Sequence, residues 1–133
     1  MVPENESVVR RFFEELWNDG DLDCADDVLA PGHVHHLGDD RLEGPDALKD
    51  AVRGFRTAFP DLHFALEDVV SDRDRVVVRW TATGTREAEF GGILASGKQV
   101  RWTGIDLVRL EDARIVELWA SADAAGLFEQ LMD

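Results

Sequence analysis

The chain has 133 residues, 44% of them hydrophobic, and a formal net charge of −14 at pH 7. This length and apolar content suit one domain with a real core and exclude a disordered chain, and no apolar stretch is long enough to span a bilayer. The acidity argues against nucleic acid, whose phosphates a negative surface repels.

Residues 6–18 are expected to form a helix, with Val9, Phe12, Phe13, Leu16 and Trp17 at three- and four-residue spacing. Asn18, Asp19 and Gly20 stop it. A shorter helix over about 22–30 follows, carrying Leu22, Ala25, Val28 and Leu29, and Pro31-Gly32 ends it. His33 to Leu37 reads as a short extended piece. Gly44-Pro45 opens a third helix, proline being suited to the first turn. Leu48, Val52, Phe55 and Phe59 line its inner side, and Pro60 closes it.

The period then changes. Residues 62–70, 75–89, 98–110 and 114–122 read as four strands, marked by Val76-Val77-Val78 and Ile105-Asp106-Leu107-Val108. Ser71 to Asp74 and Glu111 to Ala113 are polar turns. Gly91-Gly92 and Ser96-Gly97 break the longer connection. A last short helix, about 123–132, holds Leu127, Phe128 and Leu131. Helices followed by an antiparallel run make a single α+β domain over residues 1–133.

Other features bound the setting. The amino-terminal MVPENESVV lacks the basic-then-apolar order of a signal peptide. Cys24 has no second cysteine and no paired histidine at ligand spacing. The expectation is a cytoplasmic protein without membrane or nucleic-acid partners. Acids number 28 against 14 Lys and Arg, and only Lys49 and Lys98 are lysines. Acids scattered over the whole chain point to adaptation to high salt, which screens self-repulsion.

Three helices cannot fill a strongly curved sheet evenly, so a cavity is expected where they leave the concave face uncovered. Such cavities are mostly apolar with a few polar groups. Trp80, Phe90, Trp102 and Trp119 lie on or beside the strands and offer bulky walls; Trp17, Phe55 and Phe59 offer the same from the helices. On the third long strand Val100, Trp102, Gly104, Asp106 and Val108 share one face. Arg101 and Arg109 flank the other, so the first set faces inward. A carboxylate there is desolvated, and its pKa moves up toward that of a general acid or base; the alternative is an Asp paired with an arginine or capping a backbone group. His33 and His35 share a face if the segment is extended, and His36 points the other way. No HExxH-like framework accompanies them, so no metal is expected. Arg86, after Gly84-Thr85, is a candidate for an anionic group of a ligand, or a local partner of Glu87 or Glu89.

Several ordered segments together resemble the SnoaL-like polyketide cyclase family, within the nuclear-transport-factor-like, cystatin-like α+β superfamily. They are Ala58 to His63, Val78-Arg79-Trp80-Thr81 with Gly84-Thr85, and Ser96-Gly97-Lys98. Gly104-Ile105-Asp106, Arg114 to Trp119, and Asp123 with Gly126-Leu127 and Gln130-Leu131 continue the pattern. The resemblance runs over nearly the whole chain. It implies a cone: a curved antiparallel sheet packed against three amino-terminal helices, with a ligand pocket at the open end. It also implies a homodimer without metal or organic cofactor. The family's cyclases close a ring by an intramolecular aldol reaction, an Asp withdrawing a carbon-bound proton.

The chain departs from that pattern. The matching position of the cyclase's catalytic Asp is Ala120, and that of its partner His is Asp106. The usual Gly-Thr-His reads Gly84-Thr85-Arg86, and the usual Pro-Thr-Gly reads Ala95-Ser96-Gly97. His36 matches the histidine often found after the second helix, and His35 a pocket-lining polar position. The candidate site is therefore Asp106, His36 and His35 for chemistry, with Trp17, Phe55, Phe59, Trp80, Arg86, Phe90, Trp102 and Ala120 as lining. Three functions stay open. One is a cofactor-free enzyme acting on a small, largely apolar carbonyl compound by aldol cyclisation, isomerisation or dehydration. The others are a non-catalytic small-ligand-binding domain and a dimerisation domain of the same fold.

Overall fold

The computed structural model describes residues 4–90 and 96–132. Gly91-Gly92 of the expected break and Ala95 lie outside the described residues. Helix α1 (Glu4–Arg11) runs directly into a π-helical segment (Phe12–Asn18). Helix α2 (Cys24–Val28), strand β1 (Leu29–Leu37), strand β2 (Asp40–Glu43) and helix α3 (Gly44–Ala58) follow. Then come β3 (His63–Asp72), β4 (Arg75–Thr85), β5 (Gln99–Glu111), β6 (Arg114–Ala122) and helix α4 (Ala124–Met132).

The six strands form one open sheet in the order β2-β1-β6-β5-β4-β3. The expected run β3 to β6 is antiparallel throughout. The sequence reading missed two features. β1 is longer than expected and pairs parallel with β6, His35 opposite Leu118 and His36 opposite Trp119. β2, a four-residue strand with little apolar character, pairs with β1 at the sheet edge. β4 ends at Thr85 instead of 89, although two further bonds, Arg86 N to Lys98 O and Gly97 N to Arg86 O, extend its ladder with β5 by one residue.

The π-helical stretch has a packing reason. Widened i→i+5 turns bring positions i, i+1, i+4 and i+5 toward one side. Those positions are Phe12, Phe13, Leu16 and Trp17, and all four are buried. Helix α3 starts with Pro45 in its first turn and buries Leu48, Val52 and Ala58. These helices cover the inner face of the sheet, which contributes Val76, Val78, Trp80, Ala82, Val100, Trp102, Val108 and Leu118 to the core. Helix α4 begins at Asp123, whose Oδ1 accepts from Gly126 N at 2.9 Å. Gln130 fixes it to β5 through both amide atoms, at 3.0 and 2.6 Å from Arg101 N and O. Among the described residues no helix is long and apolar enough to cross a membrane.

Candidate active site

Between the π-helical segment, α3 and the inner face of the sheet lies a narrow cavity of about 70 Å³. Phe13, Trp17, Leu48, Ala51 and Phe55 line it from the helices. Leu37, Phe64, Trp80, Trp102, Ala120 and Ala122 line it from the strands. Two polar side chains join this apolar wall, His35 and Asp106.

Strand alternation explains how Asp106 arrives there. Val100, Trp102, Gly104, Asp106 and Val108 form the inner face of β5, and all are buried. Asp106 is 4% exposed and accepts one hydrogen bond, from Trp80 Nε1 to its Oδ1 at 3.1 Å. The indole reaches it by crossing Gly104, the residue opposite Trp80 on β5, where a Cβ would overlap the six-membered ring. Loss of water raises the Asp106 pKa to about 7, and the indole bond to the ionised form only partly counters that rise.

His35 lies on β1 beside Leu118, and its ring packs 6.3 Å from that of Phe12. His33, two residues earlier, is completely buried, and its ring stands edge-on to His35 with centroids 5.7 Å apart. Burial lowers the pKa of His33 to about 4 and of His35 to about 3, with smaller contributions from neighbouring histidines. Both are therefore neutral at pH 7. Sequence reading paired His33 with His35 by alternation but did not place it in the site; its total burial beside His35 is what makes it relevant.

Other expected positions fall elsewhere. His36 points to the outer face of the sheet. Its Nε2 lies 2.7 Å from Glu117 Oε2, and its ring stacks on Trp119 with an interplanar angle of 9°. Arg109 Nη2 bonds the other Glu117 oxygen at 3.3 Å. His36 and Trp119 thus leave the cavity because alternation on β1 and β6 turns them outward. Phe59 and Phe90 are not among the lining residues. They stand behind the wall: Phe90 packs on Phe55 and Phe59, and Phe59 on Trp102. Arg86 is buried beyond Gly84 on β4, away from the cavity lining, and no acid among the described residues pairs with it. Its expected local partners Glu87 and Glu89 are not engaged. Among the described residues no group of three or more His, Cys, Asp or Glu is placed to hold a metal ion.

Asp106 and Ala120 are direct partners across β5 and β6, and both line the cavity.

The sequence profile described as SnoaL-like polyketide cyclase matches residues 7–131. The chain belongs to the SnoaL-like polyketide cyclase family. A candidate SnoaL-like polyketide cyclase from Jannaschia sp. CCS1 superposes with a TM-score of 0.89 at 26% identity, over 96% of this chain and 91% of that one. AclR, a candidate hydroxylase from Streptomyces galilaeus, gives 0.86 at 27%, over 97% and 96%. IdmH, a candidate polyketide cyclase from Streptomyces antibioticus, gives 0.85 at 27%, over 98% and 100%. No curated protein matches significantly. Family neighbours are thus described as cyclases or as a hydroxylase, and the α+β architecture with its curved, open sheet is the family's.

Proposed function

We propose that this chain is a cofactor-independent enzyme that binds a small, largely apolar carbonyl compound and moves a proton at the carbon next to the carbonyl. Asp106 would be the acid/base group. The observation that carries this reading is a carboxyl in an apolar cavity, with a pKa near 7 and, among the described residues, a single hydrogen-bond donor, Trp80. A group poised near the working pH is effective in both directions of proton transfer. Ionised Asp106 takes the proton from carbon. The C–H electron pair becomes the C=C bond of an enolate, and the charge passes to the former carbonyl oxygen. Neutral His35 in the same cavity donates a hydrogen bond to that oxygen. Return of the proton to another carbon is isomerisation. Loss of a neighbouring hydroxyl as water is dehydration, and attack of the enolate on a second carbonyl is aldol closure.

The test begins with thermal-shift binding of small cyclic ketones and aryl ketones. Exchange of the bound ketone's α-protons in D2O is then followed by NMR for the native chain and Asp106→Asn. Exchange in the native chain that disappears in the variant is the expected result. Equal exchange in both would remove Asp106 from the chemistry. Binding without exchange would favour the second reading, a non-catalytic ligand-binding domain, which the narrow cavity also supports.

The partner proposed alongside the ligand is a second copy of this chain. Val70, Val77 and Ile105 stand exposed on the outer face of the sheet, which makes this the face to test. A homodimer by light scattering that dissociates in Ile105→Lys is expected; a native monomer would overturn it.

A further inference from the structure

Three buried ring nitrogens have no hydrogen-bond partner among the described residues: Nδ1 and Nε2 of His33, and Nδ1 of His35. They belong to two edge-on imidazoles, centroids 5.7 Å apart, with no direct hydrogen bond between them. Buried polar atoms are almost always paired, to protein or to internal water. A buried water characteristically joins about three such atoms.

We infer that His33 is a positioning residue that sets the tautomer of His35 through one shared internal water. The inference rests on the proposed role of His35 as a hydrogen-bond donor in the cavity. His35 lines the cavity while its Nδ1 is wholly buried, so Nε2 is the nitrogen turned toward a ligand. A neutral imidazole carries one proton. For Nε2 to donate, Nδ1 must accept. His33 has no cavity to serve. Its N–H donates to the water, and the water donates to His35 Nδ1. In the inferred arrangement the bonds run from His33 through water to His35 and out to the ligand oxygen. Without a donor at position 33, His35 would be free to place its proton on either nitrogen. This gives a completely buried histidine a task that core packing does not require.

Long-range 1H–15N NMR of the imidazoles reads the tautomer without any substrate. The native chain should show His35 as one tautomer, protonated on Nε2, at pH 7. His33→Phe should convert it to a mixture, and His33→Gln, which keeps a side-chain donor, should restore the single form. A native His35 protonated on Nδ1, or a tautomer unmoved in His33→Phe, would overturn the inference. Should the Phe variant not fold, the native tautomer and magnetisation transfer from an internal water to both imidazoles decide. Absence of that transfer counts against it. The deuterium-exchange comparison of native and Asp106→Asn chains is a separate arm. Its failure removes the proposed chemistry and leaves the tautomer result standing.

Discussion

Trp80 Nε1 donates to Asp106 Oδ1 at 3.1 Å, and the indole gets there by lying over the backbone of Gly104. Gly104→Ala should therefore do more than crowd the core. Overpacking of this kind costs about 1–3 kcal/mol, readable as a lower urea midpoint with unchanged slope. The same change should push the indole off Asp106, altering near-ultraviolet dichroism. An alanine variant with native stability and spectrum would show that the ring moves aside freely.

Trp80→Phe keeps an aromatic wall and removes the donor. The bond favours the ionised carboxylate, so its loss should raise the Asp106 pKa beyond about 7. Carbon-13 NMR of the carboxyl follows the titration directly. An unchanged or lower midpoint would contradict the role given to the indole.

Stability should rise with pH from 4 and level off near pH 7. Asp106 has a folded pKa of about 7, above its unfolded value. The folded chain binds the extra proton, so this contribution is full below about pH 4 and is lost as pH rises to about 7. His33 and His35 have folded pKa values of about 4 and 3, below their ordinary 6.5. Their contribution is full above pH 6.5 and is lost as pH falls toward those values. Each group is worth on the order of 4 kcal/mol at about 1.4 kcal/mol per pK unit. Between pH 4 and 6.5 two histidines oppose one aspartate, so stability rises with pH; near pH 7 the remaining histidine and Asp106 contributions cancel and the curve flattens. Urea melts across pH 4–8 check the shape. Asp106→Asn should steepen the rise between pH 4 and 6.5, and a native chain equally stable from pH 4 to 8 would contradict the burial effects.

His35 and His36 are chain neighbours on opposite faces of β1. His36→Ala should leave ketone binding and α-proton exchange unchanged, while His35→Ala weakens both. Loss of exchange in His36→Ala with native folding would put the outer face in the reaction.

Much of this arrangement was readable from residue order, and the misses have physical causes. Strand alternation on β5 turned Asp106 and Trp102 inward, because a period of two assigns faces once one residue is placed. The same rule placed His36 opposite His35, yet the resemblance drew His36 into the site; its pairing with Glu117 depends on a parallel β1–β6 contact 81 residues apart in sequence, which no local pattern reports. β2 was invisible because Asp40, Arg41 and Glu43 leave only Leu42 as an apolar mark. Phe59 and Phe90 were credited to the lining on ring size alone. Whether a ring forms a wall or stands behind one depends on neighbours such as Phe55 and Trp102.

The charge of −14 carries its own prediction. Carboxylates over the whole surface repel one another, and salt screens that repulsion within about 10 Å at 0.1 M. The folded chain should gain in melting temperature from 0.1 to 2 M KCl. A melting temperature that is flat or falls would remove salt adaptation.

Ala120 offers the sharpest test of where the acid must stand, because it lies directly across from Asp106 with both side chains on the cavity. Ala120→Asp places a second carboxyl roughly 5 Å away, the usual Cβ spacing of cross-strand partners. Two such groups cannot both ionise cheaply in an apolar space, so the pair should hold one proton well above pH 7. The folded state then binds still more protons than the unfolded chain, and stability should fall with rising pH above 7, where that of the native chain is level. Combining Ala120→Asp with Asp106→Ala returns a single acid to the cavity from the other strand. If the cavity needs one carboxylate and tolerates either origin, that double variant should exchange ketone α-protons faster than Asp106→Ala alone. Equal rates would mean that Asp106 acts through its own placement beside Trp80, and that an acid on β6 cannot replace it.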